Sequence, residues 1–490
     1  MMQTGSSIRF WHRGSIRSLE IVDPTRTVLE WLREDEGLTG SKEGCAEGDC
    51  GACTALMARF EAGRLVVCAV NSCIVLLPML DGQALFTVED LVAADGTFHP
   101  AHLAMLDAVG SQCGFCTPGI VMALAGLHYD TRTPTRQQVL DQLAGNLCRC
   151  TGYGPIIEAA TRMGEIAPKS PLVPPDLVKE LKSLHSDVCL EGGSADARWF
   201  APATSDDLAN LLAAHPGATL VAGATDIGLW VTKQLKTFEC LIFLHRVEEL
   251  SQIRETEAGL EIGAMVNLAR VRNALAHYSP DIDELLRRFG SEQVRAFGTI
   301  GGNIANGSPI GDMPPALIAA GARLRLRQGK KRRDLPLEDF FIDYGKQDLK
   351  PGEFVEGVLL PPLEEGLRLH IHKLSKRFDQ DISAVCGAFG LRIVDGVVED
   401  ARIAFGGMAG IPKRARQTEA ALIGSHWCAE TIEQAMIVLE KEFSPLADQR
   451  GSDTYRKIAA RNLLKKVWLE TQTDQRSLSL VRFDGQAAYA

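Results

Sequence analysis

Residues 44–54 read GCAEGDCGACT. Cys45, Cys50 and Cys53 are separated by four and then two residues, with Gly44 just before them and Gly48 and Gly51 between them. Glycines at this density let a backbone wrap a small object and turn its N–H groups inward. A second pattern follows in two pieces, SQCGFCTPG at residues 111–119 and NLCRCTGYG at residues 146–154. It sets Cys113 and Cys116 in one turn and Cys148 and Cys150 in another. Nine of the thirteen cysteines therefore fall within residues 45–150. The other four, Cys189, Cys240, Cys386 and Cys428, are scattered and read as buried small hydrophobes.

The N-terminal MMQTGSSIRFWHRG has no apolar signal core and no twin arginine. It predicts a cytoplasmic protein, where a disulfide framework is not expected. The clustered thiols then read as metal ligands. The spacing C-x4-C-x2-C fits the plant-type run that holds a 2Fe–2S cluster, with Cys68 or Cys73 as fourth ligand. Zinc is the rival, but zinc ribbons repeat C-x2-C twice. The second set alone also admits zinc or a redox C-x-x-C pair. Beside a 2Fe–2S domain, a second such cluster is the simpler account.

The chain has 490 residues, enough for three or four domains. A net charge of −10 argues against nucleic-acid binding, and no apolar run approaches a membrane span. Arg13-Gly14 suits a hairpin within residues 8–22. Thr27 can cap a helix burying Val28, Leu29, Trp31 and Leu32. Residues 64–80 return to strand-like runs. From Thr87 to Gly164 the pattern is helical, with starts at Thr133-Pro134 and Gly154-Pro155. PKSPLVPPD at residues 168–176 reads as an extended spacer. Beyond it strands and helices alternate with glycine-rich turns. The expected domains are 1–86, 87–166, a linker at 167–192, then 193–370 and 371–490.

Two of those turns are LVAGATDIG at residues 220–228 and FGTIGGNIANGSPIGD at residues 297–312. Small residues let backbone N–H groups approach a phosphate. Neither turn is a P-loop or a Rossmann fingerprint.

Together, GCAEGDCGACT, Asn71-Ser72-Cys73, SQCGFCTPGIV and GNLCRCTGYGPI resemble the iron–sulfur region of the xanthine dehydrogenase/oxidase family of molybdenum hydroxylases. The resemblance runs from about residue 8 to residue 485. It implies a multidomain α+β chain: a ferredoxin-like β-grasp domain, a helical-bundle 2Fe–2S domain, a vanillyl-alcohol oxidase-type FAD domain and an α+β C-terminal flavoprotein domain. It implies Cys73 as the fourth ligand beside Cys45, Cys50 and Cys53, and leaves Cys68 to packing. Cys113, Cys116, Cys148 and Cys150 would hold the cluster nearest a molybdopterin, which Gln112 would touch. Val221, Ala222, Gly223, Ala224, Thr225, Asp226 and Ile227 would wrap one side of FAD. Thr299, Gly302, Asn303, Ser308 and Asp312 would form the second wrap. Phe289 would lie near the adenine, Lys373 near the flavin ring, and Lys376 to Asp381 would border the flavin. IAFGGMAGIPKRA, residues 403–415, resembles the C-terminal domain of the family's flavin module.

The family's large molybdenum-binding region has no counterpart in these residues. The resemblance therefore implies a small iron–sulfur/FAD subunit of the two-subunit bacterial type, with a large molybdenum-binding partner in a heterotetramer of two small and two large chains. Having both modules in one chain favours xanthine dehydrogenase over carbon monoxide dehydrogenase-type enzymes. Electrons from a purine would pass through both clusters to FAD and then NAD. An aldehyde or N-heterocycle is the alternative substrate, and an iron–sulfur scaffold without turnover the alternative class. No catalytic residue is expected in this chain.

Overall fold

The computed structural model describes residues 4–472 except 62, 94, 169 and 170. Its first unit is a five-stranded mixed sheet ordered Ser15–Glu20, Ser7–His12, Ala84–Phe86, Thr54–Glu61, Arg64–Asn71. The opening hairpin turns at Arg13 and Gly14, both with positive φ (50° and 79°). That suits the right-handed twist of the flanking strands. The helix Val28–Glu34 starts on a reciprocal capping box between Thr27 and Glu30. Its Val28, Leu29, Trp31 and Leu32 are buried as the pattern predicts, with Trp31 edge-on to Phe10 at 5.4 Å. Of the strand-like run expected over 64–80, however, only Arg64–Asn71 is a strand, and Leu77–Leu80 is a 3-10 turn.

The second unit is helical: Pro100–Asp107, Thr117–Asp130, Arg136–Leu143 and Gly154–Arg162. Pro155 sits in the first turn of the last helix. The expected start at Thr133-Pro134 moves to Thr135, because Thr135 can form a capping box with Gln138. The helix Thr117–Asp130 buries every residue from Gly119 to Leu127 and packs on the strand Thr54–Glu61.

The expected linker is partly folded. Leu177–Leu184 is a helix whose Leu177, Leu181 and Leu184 enter the core shared by the first two units. The first strand of the next sheet starts at Cys189. That sheet runs Thr4–Gly5, Cys189–Gly193, Arg198–Ala201, Cys240–Phe243, Thr219–Val221. The N-terminal strand Thr4–Gly5 thus pairs in parallel with Cys189-Leu190. Trp199, fully buried, donates its indole N–H to the Ile21 carbonyl at 3.0 Å. The first unit and the flavin-region sheet consequently share one core.

An antiparallel sheet follows in the order Ile253–Thr256, Gly259–Gly263, Phe354–Leu360, Arg323–Gln328, Lys331–Pro336. The last sheet is Leu367–Leu374, Val385–Val394, Val397–Gly406, Lys413–Arg414. It shares a core with the helices Ala429–Glu442 and Asp453–Gln472. Among the described residues no helix is long and apolar enough to cross a membrane. Of the scattered cysteines, Cys189 and Cys386 are buried and Cys240 is half-buried. Cys428 departs from expectation: it is exposed, because it ends a loop as the N-cap of Ala429–Glu442.

Candidate cofactor sites

The loop 44–53 bends through positive φ at Ala46, Gly48 and Gly51, which folds it back on itself. Cys45 contacts Cys50 and Cys73 there, and Cys53 contacts Cys73. The backbone N–H groups of Asp49 and Cys50 point at the Cys45 sulfur, at 3.4 and 3.3 Å. Asn71 Nδ2 donates to the Gly48 carbonyl at 2.7 Å, and the Ser72 hydroxyl to the Cys53 carbonyl at 2.7 Å. These bonds tie the segment carrying Cys73 to the loop.

The thiols compete for protons. Contact with Cys50, then Cys73, holds Cys45 far below its ordinary value. Cys50 is pushed up by Cys45, and Cys73 by Cys45 and then Cys53. Four thiols packed this way titrate as a group. A metal held by Cys45, Cys50, Cys53 and Cys73 would take them as thiolates, and their protons would leave. Cys68 lies apart from them. Its sulfur faces Arg59 Nη1 at 3.7 Å and the Met57 carbonyl at 3.7 Å.

The second set forms two contacts, Cys113 with Cys150 and Cys116 with Cys148. Cys113 and Cys150 are exposed, Cys116 and Cys148 half-buried. Burial, then Cys148, raises Cys116 to about 12. Burial would also raise Cys148, but the Thr151 hydroxyl, at 3.2 Å from its sulfur, helps hold it low. Tyr153, at φ 68°, accepts the Cys148 N–H on its hydroxyl at 2.8 Å. Gln112 is exposed beside Cys113. Pairing two by two is what a dinuclear cluster asks of four thiolates, since each metal takes two.

The two sets are neighbours. The N–H of Leu147, next to Cys148, donates to the carbonyl of Cys50 at 2.9 Å. On its other side the first loop packs on the helix Ile227–Thr232. The Thr232 hydroxyl donates to the Ala46 carbonyl at 2.6 Å. Gly228 lies against Ile74, leaving no room for a Cβ, which would stand 2.7 Å from the Ile74 Cβ.

That helix begins at the end of the first glycine-rich turn, and the structure brings both turns together. A Cβ on Gly223 would stand 1.8 Å from the Phe297 carbonyl oxygen. The Cβ position of Gly302 is 3.9 Å from Ala222, and that of Gly298 is 3.5 Å from the Thr225 hydroxyl. Val221 is fully buried and Ala224 takes a positive φ of 55°. Asp226 stands at the N-terminal end of the helix starting at Ile227 without a side-chain capping bond, and its carboxyl is raised by burial. Thr299 caps Ile300–Ala305 by accepting the Gly302 N–H at 3.0 Å. Among the described residues, Asn303 Oδ1 is buried with no hydrogen-bond partner. Ala222, Gly223 and Thr299 line a cavity of about 610 Å³ with Arg246, Met265 and Asn267. Close backbone approach, an unsatisfied buried acceptor and a cavity of cofactor size fit a bound dinucleotide.

The other flavin candidates are placed differently. Asp312 and Lys373 bond each other at 2.5 Å and share the hydroxyl of Ser383. Both are buried in this closed triad. The Ser308 hydroxyl accepts the Ile310 N–H at 3.4 Å. Phe289 is half-buried on the core, and its carbonyl accepts from the buried Arg295 at 2.8 Å. Sequence reasoning missed Arg288, which donates to the carbonyls of Lys373 and Phe378 at 3.1 and 2.9 Å and so ties down the charged loop from Lys376 to Asp381. Its signal was the pair Arg287-Arg288 preceding Phe289, two long donors beside an apolar anchor.

Three family models match consecutive segments. Residues 87–161 match a [2Fe-2S] binding domain. Residues 193–363 match the FAD binding domain in molybdopterin dehydrogenase, and residues 370–471 the CO dehydrogenase flavoprotein C-terminal domain. Xanthine dehydrogenase of Drosophila subobscura is 32% identical over 91% of this chain and 38% of its own length. Aldehyde oxidase 2 of Cavia porcellus is 30% identical over 92% of this chain and 38% of its own length. Among solved structures, a reconstituted CO dehydrogenase from Oligotropha carboxidovorans superposes with a TM-score of 0.52 at 27% identity. The match covers 56% of this chain and 96% of that one. Quinoline 2-oxidoreductase from Pseudomonas putida 86 gives a TM-score of 0.51 at 26% identity over 55% and 94%. The chain spans about two fifths of the length of the curated relatives it matches. It is the iron–sulfur and flavin part of a molybdenum hydroxylase, in the family of the xanthine dehydrogenases and aldehyde oxidases.

Proposed function

We propose that the chain is the electron-transfer part of a xanthine dehydrogenase, working beside a large molybdenum-binding partner in a cytoplasmic heterotetramer of two small and two large chains. Cys113, Cys116, Cys148 and Cys150 would hold the cluster facing that partner, with Gln112 toward its molybdopterin. Cys45, Cys50, Cys53 and Cys73 would hold the inner cluster, and Val221–Ile227 with Thr299–Asn303 the FAD. When bound, 2Fe–2S clusters carry single electrons, and FAD collects two for delivery to NAD as hydride.

The observation that carries this reading is contiguity. The second thiol set is hydrogen-bonded through Leu147 to Cys50, and the first loop rests on the helix that continues the flavin turn. The protein's own residues set this order. Glycines admit the close approaches, buried side chains exclude water, and the thiol loops fix their neighbours. Lys373, Asp312 and Ser383 brace the strands beside the charged loop and need no proton-transfer role.

The test is to purify the chain with its native partner and offer xanthine, hypoxanthine, an aldehyde and nicotinate in parallel. NADH formation with bleaching of the iron–sulfur and flavin bands by xanthine is the expected result. Bleaching only by an aldehyde or by nicotinate keeps the electron path and replaces the substrate. An aldehyde oxidase and a quinoline oxidoreductase among the relatives make that second reading specific. A purified chain without flavin, inert to NADH, overturns the electron-transfer reading and leaves a scaffold.

A further inference from the structure

Asn146 stands where three units of the chain meet. It lies two residues before Cys148 and is 2% exposed. Its Nδ2 donates to the carbonyl of Gly51, between Cys50 and Cys53, at 3.1 Å, and lies 3.1 Å from the Thr54 hydroxyl oxygen. Its Oδ1 accepts from Gln293 Nε2 at 2.9 Å. Gln293 is also 2% exposed and belongs to the helix Glu292–Phe297, next to the second flavin turn. One amide therefore touches both thiol loops and the flavin region.

The surroundings leave this amide no slack. A Cβ on Gly51 would fall 2.1 Å from the Gly145 carbonyl oxygen, and one on Gly145 2.1 Å from Gln293 Oε1. A Cβ on Gly119 would stand 2.1 Å from the Gly51 carbonyl oxygen. Thr54 also donates to that carbonyl, from its N–H at 3.1 Å and from its hydroxyl at 2.7 Å. Three backbones close on a single buried polar knot. Buried amides of this kind hold geometry because breaking one bond strands the others in a dry site.

We infer that Asn146 is a positioning residue that fixes the spacing between the two thiol loops, and that Gln293 separately ties the flavin region to them. This inference rests on the proposed electron-transfer reading and assigns to it two residues that hold no cofactor. Asn146→Asp keeps the size and the acceptor for Gln293 but sets a carboxylate against the Gly51 carbonyl. Gln293→Leu removes the tie to the flavin region and leaves the Asn146 bond to Gly51.

The experiment uses the full chain loaded with its clusters and FAD. Two readings are taken: the magnetic splitting between the two reduced clusters by electron paramagnetic resonance, and the rate of cluster reduction after light-driven reduction of the bound flavin. Asn146→Asp is expected to alter the splitting and slow cluster-to-cluster transfer about tenfold, as a small misplacement of reacting groups does. Gln293→Leu is expected to leave the splitting unchanged and slow only the flavin-to-cluster step. Unchanged splitting and rates in loaded Asn146→Asp overturn the inference. If Asn146→Asp takes up no iron, Gln293→Leu decides alone, and an unchanged flavin-to-cluster rate overturns it. An unaltered chain lacking FAD or one of the clusters would instead defeat the proposed function.

Discussion

The two thiol sets make opposite choices about water. In the first, Cys53 and Cys73 are buried, and the loop is gripped by Asn71, Ser72 and Thr232. In the second, Cys113 and Cys150 are exposed, flanked by the apolar Phe115 and Leu147, which are 47% and 44% exposed. An inner relay needs a dry, fixed cradle. A relay that hands electrons across a boundary needs an open edge, which a partner then covers. The difference in exposure is what the proposed order, an inner cluster and one facing a partner, would require.

The largest expected effect breaks the inner cradle. Cys73→Ser should halve bound iron, from about four to about two per chain, while Cys68→Ser leaves it at about four. Iron analysis with visible spectroscopy decides, and the reverse pattern would make Cys68 the ligand. A milder effect sharpens the contrast. In the isolated chain, a chelator or peroxide should strip the outer set well before the inner one, followed by the separate resonance signals. Simultaneous loss would erase the distinction.

Acid should also discriminate. His99 is held at about 4, against an ordinary 6.5, by burial and then by His128 and His102. The unfolded chain binds the proton that the folded form refuses. Stability is therefore full above pH 6.5 and falls as pH drops from 6.5 toward 4, by about 3 kcal/mol from this group. A denaturation series across that range should show the helical unit failing first, and His99→Gln should flatten the slope. The smallest effect belongs to Thr27→Ala, which removes a helix cap in the first unit for about 1 kcal/mol. Calorimetry should show a small fall in melting temperature with iron content unchanged.

Local chemistry was legible in the sequence. Arg13-Gly14 suits a hairpin, Thr27 suits a helix cap, and the cysteine spacings group the thiols that the fold brings together. The misses arise where distant segments decide. Thr4–Gly5 is too short to read as a strand and exists only because Cys189-Leu190 lies alongside. Leu177, Leu181 and Leu184 do carry a helical stripe, but the prolines at 168–175 drew the reading toward an extended spacer. The triad joins Asp312 to Lys373 and Ser383, which lie 61 and 71 positions further on, a distance no local pattern spans. Asn146 looked like one more polar residue beside a cysteine until Gln293 arrived from another unit.

The pairing of Thr4–Gly5 with the strand at 189–193 also sets a timetable. On a ribosome the first unit emerges before residues 189–199, yet the pairing of the Thr4–Gly5 strand that precedes it and the Trp199 bond to Ile21 must wait until those residues have left the exit tunnel. Units of a long chain generally fold in the order of their synthesis. Here the opening segment finishes folding only after the helical unit has been made, so both thiol loops leave the ribosome before the body that braces them is closed.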